Sequence, residues 1–145
     1  GLHTALDTSG AIYNEKTLAV LDYTDLVLLD IKALDADRCR KVCGSDGRNA
    51  LLLLDELQRR GIAVWLRHVV VPGLTDDDAA LDALVDFLRP YTVIQKIEWL
   101  PYHTMGVFKY EELGLDYPLK GVEPLSAERI REIRERYRDV FPVKK

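Results

Sequence analysis

Four short apolar segments alternate with stretches whose apolar residues recur at helical spacing. Leu2 to Leu6 is β-compatible and is stopped by Asp7, Thr8, Ser9 and Gly10, a cluster of turn formers. Residues 14–23 open on Asn14, a capping residue, and place Leu18, Val20 and Leu21 for a brief helix. Residues 25–31 form a nearly continuous apolar run, the pattern of a parallel strand covered on both faces. A short helix is expected over 35–43 and a stronger one over 48–60, where consecutive leucines imply burial and Gly61 ends the run. Residues 62–71 are rich in β-branched and aromatic side chains and stop at Pro72 and Gly73. Thr75 is then expected to cap a helix with Asp76, Asp77 and Asp78 in its first turn and Leu81, Leu84, Val85, Phe87 and Leu88 on its apolar face. Residues 93–100 read as a fourth strand and 104–125 as irregular. Ser126 caps a final amphipathic helix running to about Val140.

The alternation of strand and helix defines an α/β chain, residues 1–145 forming one domain, with parallel strands joined by right-handed crossovers. Helices then cover one face of the sheet, as in a TIM-type barrel, or both, as in a doubly wound sheet. In either case ligands sit beyond the carboxyl ends of the strands.

Composition narrows the classes. Twenty basic residues against 24 acidic ones give a net charge of −4, a poor match to a nucleic-acid binder. No apolar run is long enough to cross a bilayer and no secretory signal opens the chain, so a cytoplasmic protein is expected. Cys39 and Cys43 lie four apart, on one helical face, and read as reduced thiols on a helix away from the strand ends. Gly1 opens directly on an apolar segment, which suggests that something upstream has been removed.

The residues that carry chemistry fall at strand ends. Asp7 follows the first strand, Asp30 and Lys32 end the second, His103 follows the fourth, and Arg67 lies within the third. Alternation puts Asp30 and Lys32 on one side of their strand and Arg67 on the same side as Val69. Singly, each has an ordinary structural explanation: a turn cap for Asp7, a local ion pair for Asp30 and Lys32, a loop histidine for His103. Together they aim charge at one region. Such a set suits a polar small molecule or a cation, and a buried lysine also suits a Schiff base. One alternative is therefore an aldolase-type lyase with Lys32 as nucleophile and Asp30 or Asp7 as proton shuttle. Another is a non-catalytic remnant that binds protein through its final helix or an open sheet edge.

The segments LHTALDTSG, TDLVLLDIK, VWLRHVVVPGLTDDD and KIEWLPYH, in that order, resemble the later part of the pyruvate formate-lyase activating enzymes, the radical S-adenosylmethionine (SAM) proteins that activate glycyl radical enzymes. The resemblance covers essentially the whole chain and implies part of an incomplete TIM-like (β/α) barrel. It implies an oxidoreductase that uses a reduced [4Fe-4S] cluster to cleave SAM and then takes a hydrogen atom from a glycine of a partner glycyl radical enzyme. It implies that Asp7, Lys32 and His103 contact SAM, with Arg67 and Val69 lining the same pocket. Asp7, Thr8, Asp30 and the backbone of Leu28 would hold a monovalent cation through oxygen ligands. The family's cluster cysteines, spaced C-x3-C-x2-C, and its Gly-Gly-Glu segment are absent from these residues. The chain alone is thus expected to ligate no cluster and to be inactive, and to expose a sheet edge open to self-association.

Overall fold

The structure is a computed structural model that describes residues 1–142. Four strands, β1 (Ala5–Thr8), β2 (Leu26–Asp30), β3 (Ala63–Val70) and β4 (Ile94–Pro101), form one open parallel sheet in chain order. Helices α1 (Glu15–Leu21), α2 (Ala36–Cys43), α3 (Arg48–Arg60), α4 (Asp78–Leu88), α5 (Val107–Glu112) and α6 (Ala127–Arg136) connect and follow them.

The period-two alternation of β3 is complete, every second side chain from Val64 to Val70 being buried. Val64, Leu66 and Val70 join Val27, Leu29 and Ile31 of the β2 segment under leucines of α3, α4 and α1 and isoleucines of α6. The four core-forming helices therefore pack on one face of the sheet. This resolves the choice between one-sided and two-sided cover in favour of a barrel segment. The opposite face carries Asp7, Leu28, Asp30, Lys32, Trp65, Arg67, Val69, Lys96 and Glu98, a face that would line a barrel's interior.

Several boundaries differ from the sequence reading. β1 begins at Ala5, because Thr4 gives its N–H to the Asp25 carboxylate (2.8 Å), and it includes Asp7 and Thr8. The turn follows directly. Thr8 Oγ1 accepts from Gly10 N–H, and Gly10 has φ 66° with the space for a Cβ taken by the Ala50 backbone 2.7 Å away.

Asp77, not Thr75, caps α4 by accepting from Ala80 N–H (3.0 Å). Thr75 is instead buried, its hydroxyl accepting from Val71 N–H and donating to the Val69 carbonyl across the Pro72-Gly73 turn. Asp77→Ala is expected to lower stability by about 1 kcal/mol, read as a shift in the urea midpoint at constant slope. Residues 104–125 are not wholly irregular: α5 forms there, although it buries no side chain. The final helix ends at Arg136 rather than near Val140. Tyr137 leaves the helix with its hydroxyl on Asp82 (2.7 Å) and its ring against Trp99.

Candidate functional site

Register builds the site. In the parallel ladder Asp30 stands beside Arg67, and Asp7 beside Leu28, one pleat short of Asp30 on the same face. Arg67, though in the middle of β3, is therefore level with the carboxyl end of β2. Its guanidinium spans two strands. Nε donates to Asp30 Oδ1 (2.8 Å), Nη1 donates to Asp7 Oδ2 (2.9 Å), and Nη2 closes a bidentate pair on Asp7 Oδ1. Lys32 Nζ completes the line on Asp30 Oδ2 (2.8 Å). Two carboxylates and two cations thus form one neutral chain, Asp7–Arg67–Asp30–Lys32.

Three of the four side chains are withdrawn from water: Arg67 is 19% exposed, Asp30 18% and Lys32 24%, whereas Asp7 is 64% exposed. The Arg67 pKa is raised above its ordinary value, first by the bond to Asp7, against burial, and then by the charge of Asp30. A guanidinium so placed is a fixed positive centre within the strand.

The remaining residues of the expected site fare differently. Val69 lies two residues beyond Arg67 on the same face, and Leu28 presents its backbone beside Asp7. His103 is exposed, and among the described residues no hydrogen bond joins it to the other four. The Thr8 side chain projects to the sheet face opposite Asp7. The carboxylate oxygens that a cation would need are taken: both of Asp7 and one of Asp30 by Arg67, the other by Lys32.

Lys96, Glu98 and Trp65 extend the charged face beyond what the sequence reading named. Lys96 Nζ lies 3.6 Å from the Trp65 ring centre and 2.5 Å from Glu98. The alternation of Lys96, Ile97, Glu98 and Trp99 was the available signal, obscured by an irregularity at Val64/Trp65 that leaves Gln95 out of the ladder.

The cysteines are nearer the strand ends than expected. Cys39 and Cys43, with Sγ atoms 3.7 Å apart, line a small cavity with Ser9, Gly10, Asp30 and Lys32. They do not fit a [4Fe-4S] cluster. They number two, burial pushes the Cys39 thiol up to about 11, and among the described residues no group of three or more His, Cys, Asp or Glu is placed to hold a metal. Among the described residues no helix is long and apolar enough to cross a membrane.

A one-sided parallel βα sheet with a charged network at its strand ends defines the class: a segment of a βα barrel, an architecture whose ligands sit at that rim. Comparison with known proteins narrows it. The chain is 43% identical over 141 residues to the pyruvate formate-lyase-activating enzyme of Streptococcus mutans, covering 93% of this chain and 54% of that protein. It is 38% identical to that of Clostridium pasteurianum, covering 97% and 59%. It is 37% identical to the pyruvate formate-lyase 1-activating enzyme of Escherichia coli, covering 94% and 58%. No family model matches the chain. A crystal structure of a domain of pyruvate-formate lyase-activating enzyme from Bacteroides vulgatus shares the fold, with a TM-score of 0.72 at 18% identity over 96% of this chain and 77% of that one. The chain is a homologue of the pyruvate formate-lyase-activating enzymes and spans a little over half the length of these curated relatives.

Proposed function

We propose that this chain is the carboxy-terminal, SAM-binding portion of a cytoplasmic radical SAM activating enzyme that generates a glycyl radical on a partner such as pyruvate formate-lyase. The observation that carries the reading is the Asp7–Arg67–Asp30–Lys32 line at the strand ends of a chain homologous to such enzymes.

SAM bears a carboxylate, an ammonium and a sulfonium, and the donor set suits it: Lys32 and Arg67 for the carboxylate, Asp7 or Asp30 for the cationic groups, and Val69 for an apolar wall. His103 joins this set only if the loop after β4 brings it over the sheet. When bound, SAM supplies a carbon–sulfur bond that reduction breaks. The residues of this chain hold and orient the molecule and shield it on the sheet side. These 145 residues hold two cysteines and no C-x3-C-x2-C spacing, and by themselves they are proposed to ligate no cluster and to carry out no radical chemistry. A monovalent cation on Asp7, Thr8, Asp30 and the Leu28 carbonyl belongs to the same proposal and requires Arg67 to leave both carboxylates. The unpaired outer edge of β1 is the proposed route of self-association.

Calorimetric titration of the chain with SAM tests the reading. Saturable binding is expected, weakened at least tenfold, about 1.4 kcal/mol, by Lys32→Met. No binding to the folded chain sinks it. Borohydride trapping of a carbonyl substrate on Lys32 would replace it by the lyase alternative.

A further inference from the structure

The two cysteines form a second reactive element, and its chemistry does not depend on the proposed SAM role. Cys39 and Cys43 sit one turn apart on α2 with Sγ atoms 3.7 Å apart, and the Cys43 thiol donates to the Cys39 carbonyl (3.3 Å). Their exposures differ. Cys43, the last residue of the helix, is exposed, whereas Cys39 is 1% exposed and packs against the turn at Gly47, where an added Cβ would lie 2.9 Å from its sulfur. A solute therefore reaches one thiol, and the second lies behind it within sulfur–sulfur contact.

Acid–base chemistry orders them the same way. Burial first, then the hydrogen bond with Cys43, pushes the Cys39 thiol up to about 11, so at neutral pH it is protonated and a poor nucleophile toward solutes. Once Cys43 carries a leaving group, attack by Cys39 is intramolecular, and proximity offsets its small thiolate fraction. Modification of Cys43 also removes that thiol's hydrogen bond and charge, two of the causes that raise the Cys39 pKa.

Helix geometry sets the character of the bond. Cβ atoms one helical turn apart are separated by about 5 to 6 Å, whereas a relaxed disulfide holds them about 3.5 to 4.5 Å apart. Bridging thus draws Cys43 inward and distorts the last turn of α2. That turn can give. It ends at Gly44 with φ 75°, closed by the bond from Gly44 N–H to the Arg40 carbonyl (2.8 Å), and Ser45, Asp46 and Gly47 follow before α3 begins. A bridge made under such strain is readily reduced. The cavity that both cysteines line also has Asp30 and Lys32 in its wall, so the turn that moves borders the charged network.

We infer that Cys43 and Cys39 are a reversible dithiol–disulfide site for small disulfides of the glutathione class, with Cys43 as the attacking and Cys39 as the resolving sulfur. The Cys43 thiolate attacks one sulfur of the small disulfide, forming a mixed disulfide and releasing one thiolate. Cys39 then gives its proton to solvent and attacks the Cys43 sulfur, forming the intrachain bond and releasing the second thiolate. Two protein thiols lose two electrons and two protons, and one small disulfide becomes two thiols.

The folded chain is treated with oxidised glutathione, quenched in acid and read by intact mass and tryptic mapping. Arg40 and Lys41 lie between the cysteines, so after trypsin the bridge joins two peptides. The parent is expected to lose two hydrogens, to keep no lasting glutathione adduct, and to return to the dithiol in excess reduced glutathione. Cys39→Ala is expected to accumulate one glutathione on Cys43. Cys43→Ser, whose remaining thiol is buried, is expected to react at least about tenfold more slowly than Cys39→Ala.

Four results would overturn the inference: an unmodified parent, a parent that keeps its adduct or is linked to a second chain through Cys43, a bridge that survives reduced glutathione, or equal rates in the two variants. The first means an inert Cys43, the second a Cys39 that does not resolve, the third a structural bond, and the fourth a Cys39 open to solution. The first three are read on the parent chain, without any substitution.

Discussion

Arg67→Met is expected to lower stability by about 2 to 3 kcal/mol, a large effect for a residue with no part in the apolar core. Methionine keeps the length and apolar character of the stem and removes only the guanidinium. Asp30, 18% exposed, then keeps Lys32 as its single partner, while Asp7, 64% exposed, turns to water. The loss therefore resides mainly in the Arg67–Asp30 contact, although the bond to Asp7 is the larger cause of the raised Arg67 pKa. Solvent screening discounts the Asp7 pair, and shielding preserves the Asp30 pair. Double-mutant cycles by urea denaturation check the ordering. Arg67→Met with Asp30→Asn should show coupling well above that of Arg67→Met with Asp7→Asn. Equal couplings would show that both carboxylates are in water and that the network is a surface feature.

How much of this was legible in the sequence depended on whether a feature was local. The four strands stood out because β-branched and leucine-rich runs end at turn residues, and α3 because its consecutive leucines run on to a stop at Gly61. Asp30 and Lys32 could be paired on one face from alternation alone, and they do pair.

The tie from Arg67 to Asp7 joins residues 60 apart and depends on the register of three strands, which no short pattern encodes. The cap of α4 went to Asp77 because Thr75 is consumed by the Pro72-Gly73 turn, a competition between two uses of a hydroxyl that the order of residues does not decide. α5 escaped notice because it buries nothing, leaving no apolar period to read. His103 was grouped with the other site residues by its position after β4. Yet a loop residue is aimed by its loop, and strand alternation gave no direction for it. His68 was overlooked beside Arg67, although alternation in β3 already placed it on the covered face.

Acidification should expose that histidine directly. Burial depresses the His68 pKa from 6.5 to about 4, against the Ile31 carbonyl bond, which favours the proton; the nearby charge of Lys32 depresses it further, while Asp30 and the Thr75 carbonyl oppose. In the unfolded chain the group titrates near its ordinary value. Above that value both states are neutral and stability is full. Between the two values the unfolded state binds a proton that the folded state refuses, so stability falls as pH falls and levels off below about pH 4. The total loss is about 3 kcal/mol, about 2 of it between pH 6.5 and pH 5.

That upper window isolates the residue. Asp25, Asp77, Asp82 and Glu56 all have lowered pKa values, so the stability they lend is present above their unfolded values near 4 and is lost only below that range. Urea midpoints measured from pH 7 to pH 5 should therefore drop in the parent chain and stay nearly level in His68→Asn, whose amide can still donate to the Ile31 carbonyl. A flat parent profile would mean that His68 takes up its proton in the folded state and that burial does not exclude its charged form. A falling one means that the peptide between Asp30 and Lys32 is held by a neutral imidazole. The charged network on one face of the sheet would then rest, through the Ile31 carbonyl, on a dry hydrogen bond on the other.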